Sequence, residues 1–363
     1  MKQSILKKFD WSILISAIIL LAIGMVALFS ATKSSNDGEF YRQAIWFGIS
    51  LVVLVITVII DYKTIARFSL FLYLIINILL VLVLFTTPVN GATSWFNIGG
   101  FFTFQPSEFA KVIFIIFFSY VVVQFQKKDK NEINKFWKLL VCLGIAAVPI
   151  LLIIKQPDYG TAIPFVISVI IILFVAGIKK KYIFISLLVI VIALPLLYMF
   201  ILPDHAKARI DIYLNPYKDP RGAGYNIIQS KLAIGAGEMF GMGLLKGNQT
   251  QLGYLYPKTT DFIYAVIGEE MGFAVAALVI IIYVFLILRA IKIAKNAKDN
   301  LGSYIAIGIA GLFIFHMVQN IGMTMGLLPI TGVPLLFISY GGSSLISSFI
   351  LIGLLLNISK RKV

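Results

Sequence analysis

Long apolar stretches separated by short charged ones dominate the chain. Such runs fall near 11–31, 44–60, 68–86, 107–125, 137–154, 161–178, 182–202, 262–288, 303–325 and 334–358. Each is about the length an α-helix needs to cross roughly 30 Å of hydrocarbon. The pattern predicts an all-α polytopic integral membrane protein of about ten transmembrane helices. They form a single membrane domain over 1–363, with one long loop, 203–260, between spans seven and eight. Lys2, Lys7 and Lys8 precede the first run as they would in a signal peptide. That run is longer than the roughly 7–15 apolar residues of a cleavable signal, and predicts a retained span.

The basic residues orient this pattern. With the N-terminus in the cytoplasm, the inner segments carry 20 Lys and Arg, against Lys33, Arg42 and Lys155 in the short outer connections. Both termini are therefore expected inside and the long loop outside, in a plasma membrane. Composition agrees: 60% of residues are hydrophobic and 13% charged, and mean hydropathy is +0.97. The net charge of +15 needs no nucleic-acid partner, because the insertion rule and an anionic inner leaflet account for most of it. Seven more cations sit in the outer loop, Lys207, Arg209, Lys218, Arg221, Lys231, Lys246 and Lys258. They suit either solvation or an anionic partner such as a pyrophosphate. Cys142 is the sole cysteine, so a disulfide framework is excluded. The two histidines, His205 and His316, are too few for a His-rich metal site. No phosphate-binding Gly-x-x-x-x-Gly-Lys-Ser/Thr loop is present, which argues against an ATP-driven pump.

Two outer segments are unusual. Residues 87–106 combine glycines and aromatics and predict a loop lying in the interface, with Trp95 at headgroup depth. Residues 326–343 contain Pro329 and Pro334, which break a helix; irregular backbone at that depth survives only against protein or a wet cavity. Pro149, Pro164 and Pro195 are expected to bend their helices. Gly308 and Gly311 are expected to admit a neighbouring helix.

The polar residues within this apolar frame carry the chemistry. Glu108 and Lys111 follow Pro106 and share one helix face, either as a structural ion pair or as cavity lining. Asp158 stands at the mouth of a span, as a helix cap or a cavity residue. Asp261 stands where the long loop enters an apolar helix, after Thr259 and Thr260 as capping hydroxyls, with Glu269 and Glu270 beyond it. Charge in a membrane is costly and marks a functional candidate. At about 100° per residue Gly268 falls within about 20° of Asp261, predicting a hollow beneath the acid. On these grounds alone Asp261 is either a helix-terminal acid or a general base.

Seven segments then recur in a fixed order. They are Gly91-Ala-Thr-Ser-Trp95, Gln105-Pro-Ser-Glu-Phe-Ala-Lys111, Gln156-Pro-Asp-Tyr-Gly-Thr161, and Leu214-Asn-Pro216 with Gly224-Tyr-Asn-Ile-Ile-Gln-Ser230. Thr260 to Glu270, Gln319-Asn-Ile-Gly-Met323 and Ser339-Tyr-Gly-Gly-Ser-Ser344 complete the set. The chain thereby resembles, nearly end to end, the RodA/FtsW/SpoVE family of shape, elongation, division and sporulation proteins, most of all its RodA branch. The resemblance implies a peptidoglycan glycosyltransferase that polymerises lipid II at the outer face of a bacterial plasma membrane, for elongation and shape. It implies that Asp261 deprotonates the acceptor 4-hydroxyl as this attacks the donor's anomeric carbon and expels the lipid pyrophosphate. Inversion converts an α-linked donor into a β-1,4 linkage. Arg209, Lys246 or a bound divalent cation, Mg2+ or Mn2+, could neutralise the leaving group. Glu108, Lys111, Asp158, Thr260, Gln319, Asn320 and Ser343 fall on motif positions implied to contact substrate. The resemblance also implies a class B penicillin-binding protein transpeptidase as partner. The rival readings are a lipid II flippase and a non-enzymatic elongasome or divisome scaffold. The chain departs from the family pattern at Ser94, where Arg is frequent. It departs again at Tyr256-Pro-Lys-Thr-Thr-Asp261, which lacks the frequent Glu and His/Gln, and at Pro334-Leu-Leu336, in place of Pro-Leu-Pro.

Overall fold

A computed structural model describes residues 9–33, 38–88, 91–98, 102–182, 211–220, 222 and 224–361, with isolated positions between 184 and 207. The helices are α1 (Trp11–Thr32), α2 (Glu39–Ile59), α3 (Tyr62–Arg67), α4 (Ser69–Leu82), α5 (Pro106–Phe125), α6 (Phe136–Lys155) and α7 (Tyr159–Val175). In the long loop lie α8 (Tyr225–Ala236) and α9 (Asn248–Gln251), followed by α10 (Ile263–Lys295), α11 (Asn300–Thr324) and α12 (Gly342–Lys360). Seven of these are long and apolar enough to cross a membrane, and Ser69–Phe85 and Tyr159–Val175 are shorter apolar helices. They match nine of the ten expected runs. The remaining one, 182–202 with Pro195, lies largely outside the described residues.

Local chemistry sets the helix starts. Pro106 occupies the first turn of α5 with Glu108 behind it, where a missing N–H is harmless and a negative charge favourable. Asp158 caps α7, accepting from Thr161 N at 3.3 Å and Thr161 Oγ1 at 2.7 Å. Asp299 caps α11 through Gly302 N at 2.9 Å. α6 and α7 run through Pro149 and Pro164 without interruption.

α11 and α12 form the buried centre, and α2 and α4 the periphery. On α2 the exposed Ile45, Ile49, Val52, Val55, Ile56 and Ile59 mark a lipid-facing side, as the helical period requires. Gly308 and Gly311 let α11 approach its neighbours: a Cβ would meet Ile115 at 2.9 Å and Ile172 at 3.0 Å from the first, and Ile171 at 2.5 Å from the second. The expectation of close packing there is met.

Polar contacts gather at the two ends of the bundle. At one end Arg289 pairs with Asp10 at 2.5 Å, Arg361 with Asp61 and Lys63 with Asp299 at 2.7 Å. Asp261 belongs to the other end. There residues 87–106 depart from the loop expected of them: Phe96–Ile98 and Phe102–Phe104 pair antiparallel as a short hairpin. The alternating aromatics explain it, since Phe96 and Phe104 face each other across the strands and Phe104 stacks on Phe109 of α5.

Candidate active site

Asp261 is not on a helix. α10 begins at Ile263, with Phe262 as its cap and no side-chain capping bond, so the angular argument linking Asp261 to Gly268 does not apply. Nor is there a hollow at Gly268: Ile234 of α8 packs there and Gly237 touches its backbone. Asp261 is half-buried, and its backbone is fastened from below. Its carbonyl accepts from Asn320 Nδ2 at 3.0 Å. The carbonyl of Thr260 accepts from Ser339 Oγ at 2.6 Å, and that of Thr259 from Tyr340 N at 2.9 Å.

Asn320 belongs to α11, and Ser339 and Tyr340 to the irregular segment between Pro329 and Gly341, buried against protein as expected. Val333, Leu335, Leu336, Phe337, Ile338 and Ser339 are all buried. Its carbonyls are satisfied one by one from the surrounding helices, as backbone in an apolar setting must be. Gln319 Nε2 donates to Pro329 O at 2.9 Å, Asn320 Nδ2 to Val333 O at 2.8 Å, and Gln43 Nε2 to Ser339 O at 3.2 Å. Tyr283 OH donates to Leu336 O. Gly24 of α1 abuts Ile338, whose Cα would lie 2.6 Å from a Cβ. Gln319 and Asn320 thus donate to backbone under the site.

The same segment joins Asp261 to the second acid. A Cβ on Gly332 would lie 3.7 Å from Asp261 Oδ2, and one on Gly160 2.3 Å from Thr331 O. Asp158 therefore opens α7 beside the platform that carries Asp261. Its other carboxylate oxygen accepts from Gln105 Nε2 at 3.2 Å, and Ser343 Oγ accepts from Gln105 N at 3.1 Å. Burial pushes the Asp158 carboxyl up, against the hydrogen bonds from Thr161 and the nearby Lys111 charge.

Deeper, Glu108 and Lys111 form a buried pair at 2.8 Å. Ser347 Oγ donates to Glu108 at 3.1 Å, and Lys111 Nζ lies 3.2 Å from His316 Nε2. His316 Nδ1 lies 2.9 Å from Pro334 O. A carbonyl only accepts and an ammonium only donates, so the neutral imidazole with its proton on Nδ1 satisfies both contacts. His316, Gln43, Tyr283 and Ser347 gave no signal of their own in the sequence, because their roles appear only once distant helices meet.

Glu269 and Glu270 have a different task. Both are buried. Glu269 accepts from Gln249 N at 2.7 Å, Thr250 N at 3.0 Å and Thr250 Oγ1 at 2.6 Å. Glu270 accepts from Gln251 Nε2 at 2.8 Å. They pin the turn that follows the exposed Lys246. Arg209 lies outside the described residues. Just beyond, Gly272 breaks α10 with φ 77° and ψ 180°. The freed backbone groups pair with the long loop: Met242 N with Glu269 O, Gly243 N with Glu270 O, Phe273 N with Glu238 O and Ala274 N with Met239 O.

Comparison with known proteins places this architecture. The cell cycle protein family FTSW_RODA_SPOVE matches residues 10–363. The probable peptidoglycan glycosyltransferase FtsW of Trichlorobacter lovleyi is 39% identical, over 98% of this chain and 94% of its own. Stage V sporulation protein E of Bacillus subtilis is 37% identical, over 97% of both chains. A structure described as "Structural coordination of polymerization and crosslinking by a peptidoglycan synthase complex" superposes with TM-score 0.83 at 26% identity, covering 97% of each chain. FtsW and sporulation names both appear among the relatives, so the likeness specifies the family and not its RodA branch. From residue 10 to its last, this chain belongs to the FtsW/RodA/SpoVE family of cell cycle proteins.

Proposed function

We propose that the protein is an inverting peptidoglycan glycosyltransferase that polymerises lipid II, with Asp261 as its general base. The activity class follows from the family and from relatives that bear the name peptidoglycan glycosyltransferase. The observation that supports Asp261 is the way it is held: three successive carbonyls, of Thr259, Thr260 and Asp261, are bonded to elements beneath, while the residue itself stays half-exposed. A base must be fixed to within a few tenths of an ångström yet reachable by the hydroxyl it deprotonates. Diphosphate leaves without an acid once its charge is neutralised, and Arg209 and Lys246, the latter exposed, are cations proposed for that task. Glu108, Lys111, Asp158, Thr260 and Ser343 are proposed to shape the substrate cavity. Gln319 and Asn320 are proposed to position the platform. Among the described residues no three His, Cys, Asp or Glu side chains are close enough to hold an ion. A divalent Mg2+ or Mn2+ is the alternative proposed for neutralising the leaving group; it would be held mainly by the diphosphate with one or two carboxylates, and no step is routed through it.

The Asp261 end is assigned to the outside of the plasma membrane and both termini to the cytoplasm, supported by the 20 basic residues of the inner segments. A class B penicillin-binding protein is the proposed partner, supported by the likeness to a synthase complex that couples polymerization with crosslinking. Elongation is the proposed process, resting on the sequence resemblance. The test is purified protein with its transpeptidase, given labelled lipid II in detergent, where no translocation is possible. Glycan polymer from the wild type and none from folded Asp261→Asn is the expected result. No polymer from either, with lipid II translocation in vesicles, would install the flippase reading instead.

A further inference from the structure

The bundle end opposite Asp261 contains a cleft of about 490 Å³ between α3, the end of α5 and the start of α11. Its polar lining carries an excess of positive charge. Lys63, Arg67 and Lys127 bring three cations, and Tyr120 and Gln124 add a hydroxyl and an amide. Asp299 is the one carboxylate in this lining, and it is already engaged. It accepts from Lys63 Nζ at 2.7 Å, Tyr62 Oη at 2.9 Å and Gly302 N at 2.9 Å. The side chains of Arg67, Tyr120, Gln124 and Lys127 make no hydrogen bond or ion pair among the described residues. Asn300 and Leu301, also in the lining, open the 25-residue α11, so the positive end of a long helix faces the same space.

With its one carboxylate engaged, the cleft presents an excess of cations and calls for an anion. The surroundings say which kind. Arg67, the last residue of α3, is followed by Phe68 and by Phe71 of α4, each 64% exposed, and Val123 and Leu301 add apolar wall. A soluble anion has no use for that neighbourhood, whereas a lipid can place its phosphate at the cations and its chains along the phenylalanines. We propose that this cleft binds the phosphodiester headgroup of an anionic lipid in the leaflet opposite Asp261.

The test uses the full-length protein in detergent, titrated with phosphatidylglycerol or phosphatidylcholine and followed by native mass spectrometry. Phosphatidylglycerol is expected to bind the wild type in preference to phosphatidylcholine. Removing two cations near an anionic headgroup should weaken that binding about thirtyfold in Arg67→Ala/Lys127→Ala. Lys128→Ala/Lys130→Ala, equal in charge change but outside the cleft, should leave it within threefold of wild type, about half a kcal/mol. Arg67→Lys should retain binding that Arg67→Gln loses, which separates lost charge from lost fold. The proposal is overturned if the two lipids bind alike, or if the Lys128/Lys130 pair weakens binding as much as the cleft pair. Displacement of the lipid by inorganic phosphate alone would overturn it in favour of a free-anion site.

Discussion

The buried pair of Glu108 and Lys111 gives the sharpest energetic expectation. Their side chains are 2% and 3% exposed and 2.8 Å apart. At that distance and an effective dielectric near 20 the attraction is about 6 kcal/mol. Desolvating both groups cancels most of it, so the intact pair contributes little net stability. Removing one partner is different, because the other charge is then stranded, at about 3–5 kcal/mol. Glu108→Gln keeps the Ser347 contact and should fall at the lower end. Lys111→Met also leaves His316 Nε2 without its donor, adding about 1–3 kcal/mol. Glu108→Gln/Lys111→Met removes both charges at similar volume, so its loss should be little more than the roughly 1–3 kcal/mol of the unpaired His316 nitrogen. Unfolding by graded SDS in mixed micelles, run as a double-mutant cycle, measures the coupling directly. Additive losses, or single-variant losses below about 1 kcal/mol, would refute the stranded-charge reasoning. A stable double variant that no longer polymerises lipid II would place the charges in the chemistry as well as the scaffold.

Gly272→Ala should destabilise by more than about 2 kcal/mol, measured in the same SDS titration. The new Cβ would meet Gly241 N at 2.2 Å in a backbone conformation, φ 77°, that disfavours side chains. Glu269→Gln replaces a carboxylate that accepts three hydrogen bonds from 249–250. It should loosen that turn by about 2–4 kcal/mol, seen as faster limited proteolysis of 246–260. Gly160→Ala places a Cβ 2.3 Å from Thr331 O. It should shift the platform under Asp261, lower polymerisation at least about tenfold and cost about 1–3 kcal/mol of stability. Asp299 is opposed by burial, but bonds from Lys63, Gly302 and Tyr62 outweigh this and hold its carboxyl below the usual range. That contribution is present above an ordinary carboxylate pKa of about 4 and is lost as pH falls through the lower folded value. Asp299→Asn should therefore flatten the acid limb of stability against pH, and an unchanged limb would contradict the assignment.

The membrane helices were legible because apolar runs and flanking Lys and Arg obey simple transfer energetics. Asp158 as a cap was equally legible, since capping is a matter of three consecutive residues. Asp261 stood out as an acid at an apolar boundary, but its setting did not, because extending helical periodicity back through Thr260 assumed a helix that starts at Ile263. The platform beneath it depends on Gln43, Tyr283, Asn320 and Ser339 meeting from four parts of the chain, and no local pattern encodes that. Phe96 facing Phe104 is likewise a pairing across a turn, invisible to a reading that took the aromatics as interface anchors. Glu269 and Glu270 read as charges inside a span, whereas the fold uses them to receive amides from 19–20 residues earlier.

The interruption of α10 at Gly272 bears on how the protein is made. Two carbonyls and two amides around the break find their partners only in residues 238–243, so this helix cannot rest in lipid fully bonded by itself. Those partners precede it in the chain and emerge from the ribosome first. The loop is thus already made when the helix that needs it arrives. Moving that loop to a later position in the polypeptide, as a circular permutation would, should stall insertion even though every final contact could still form.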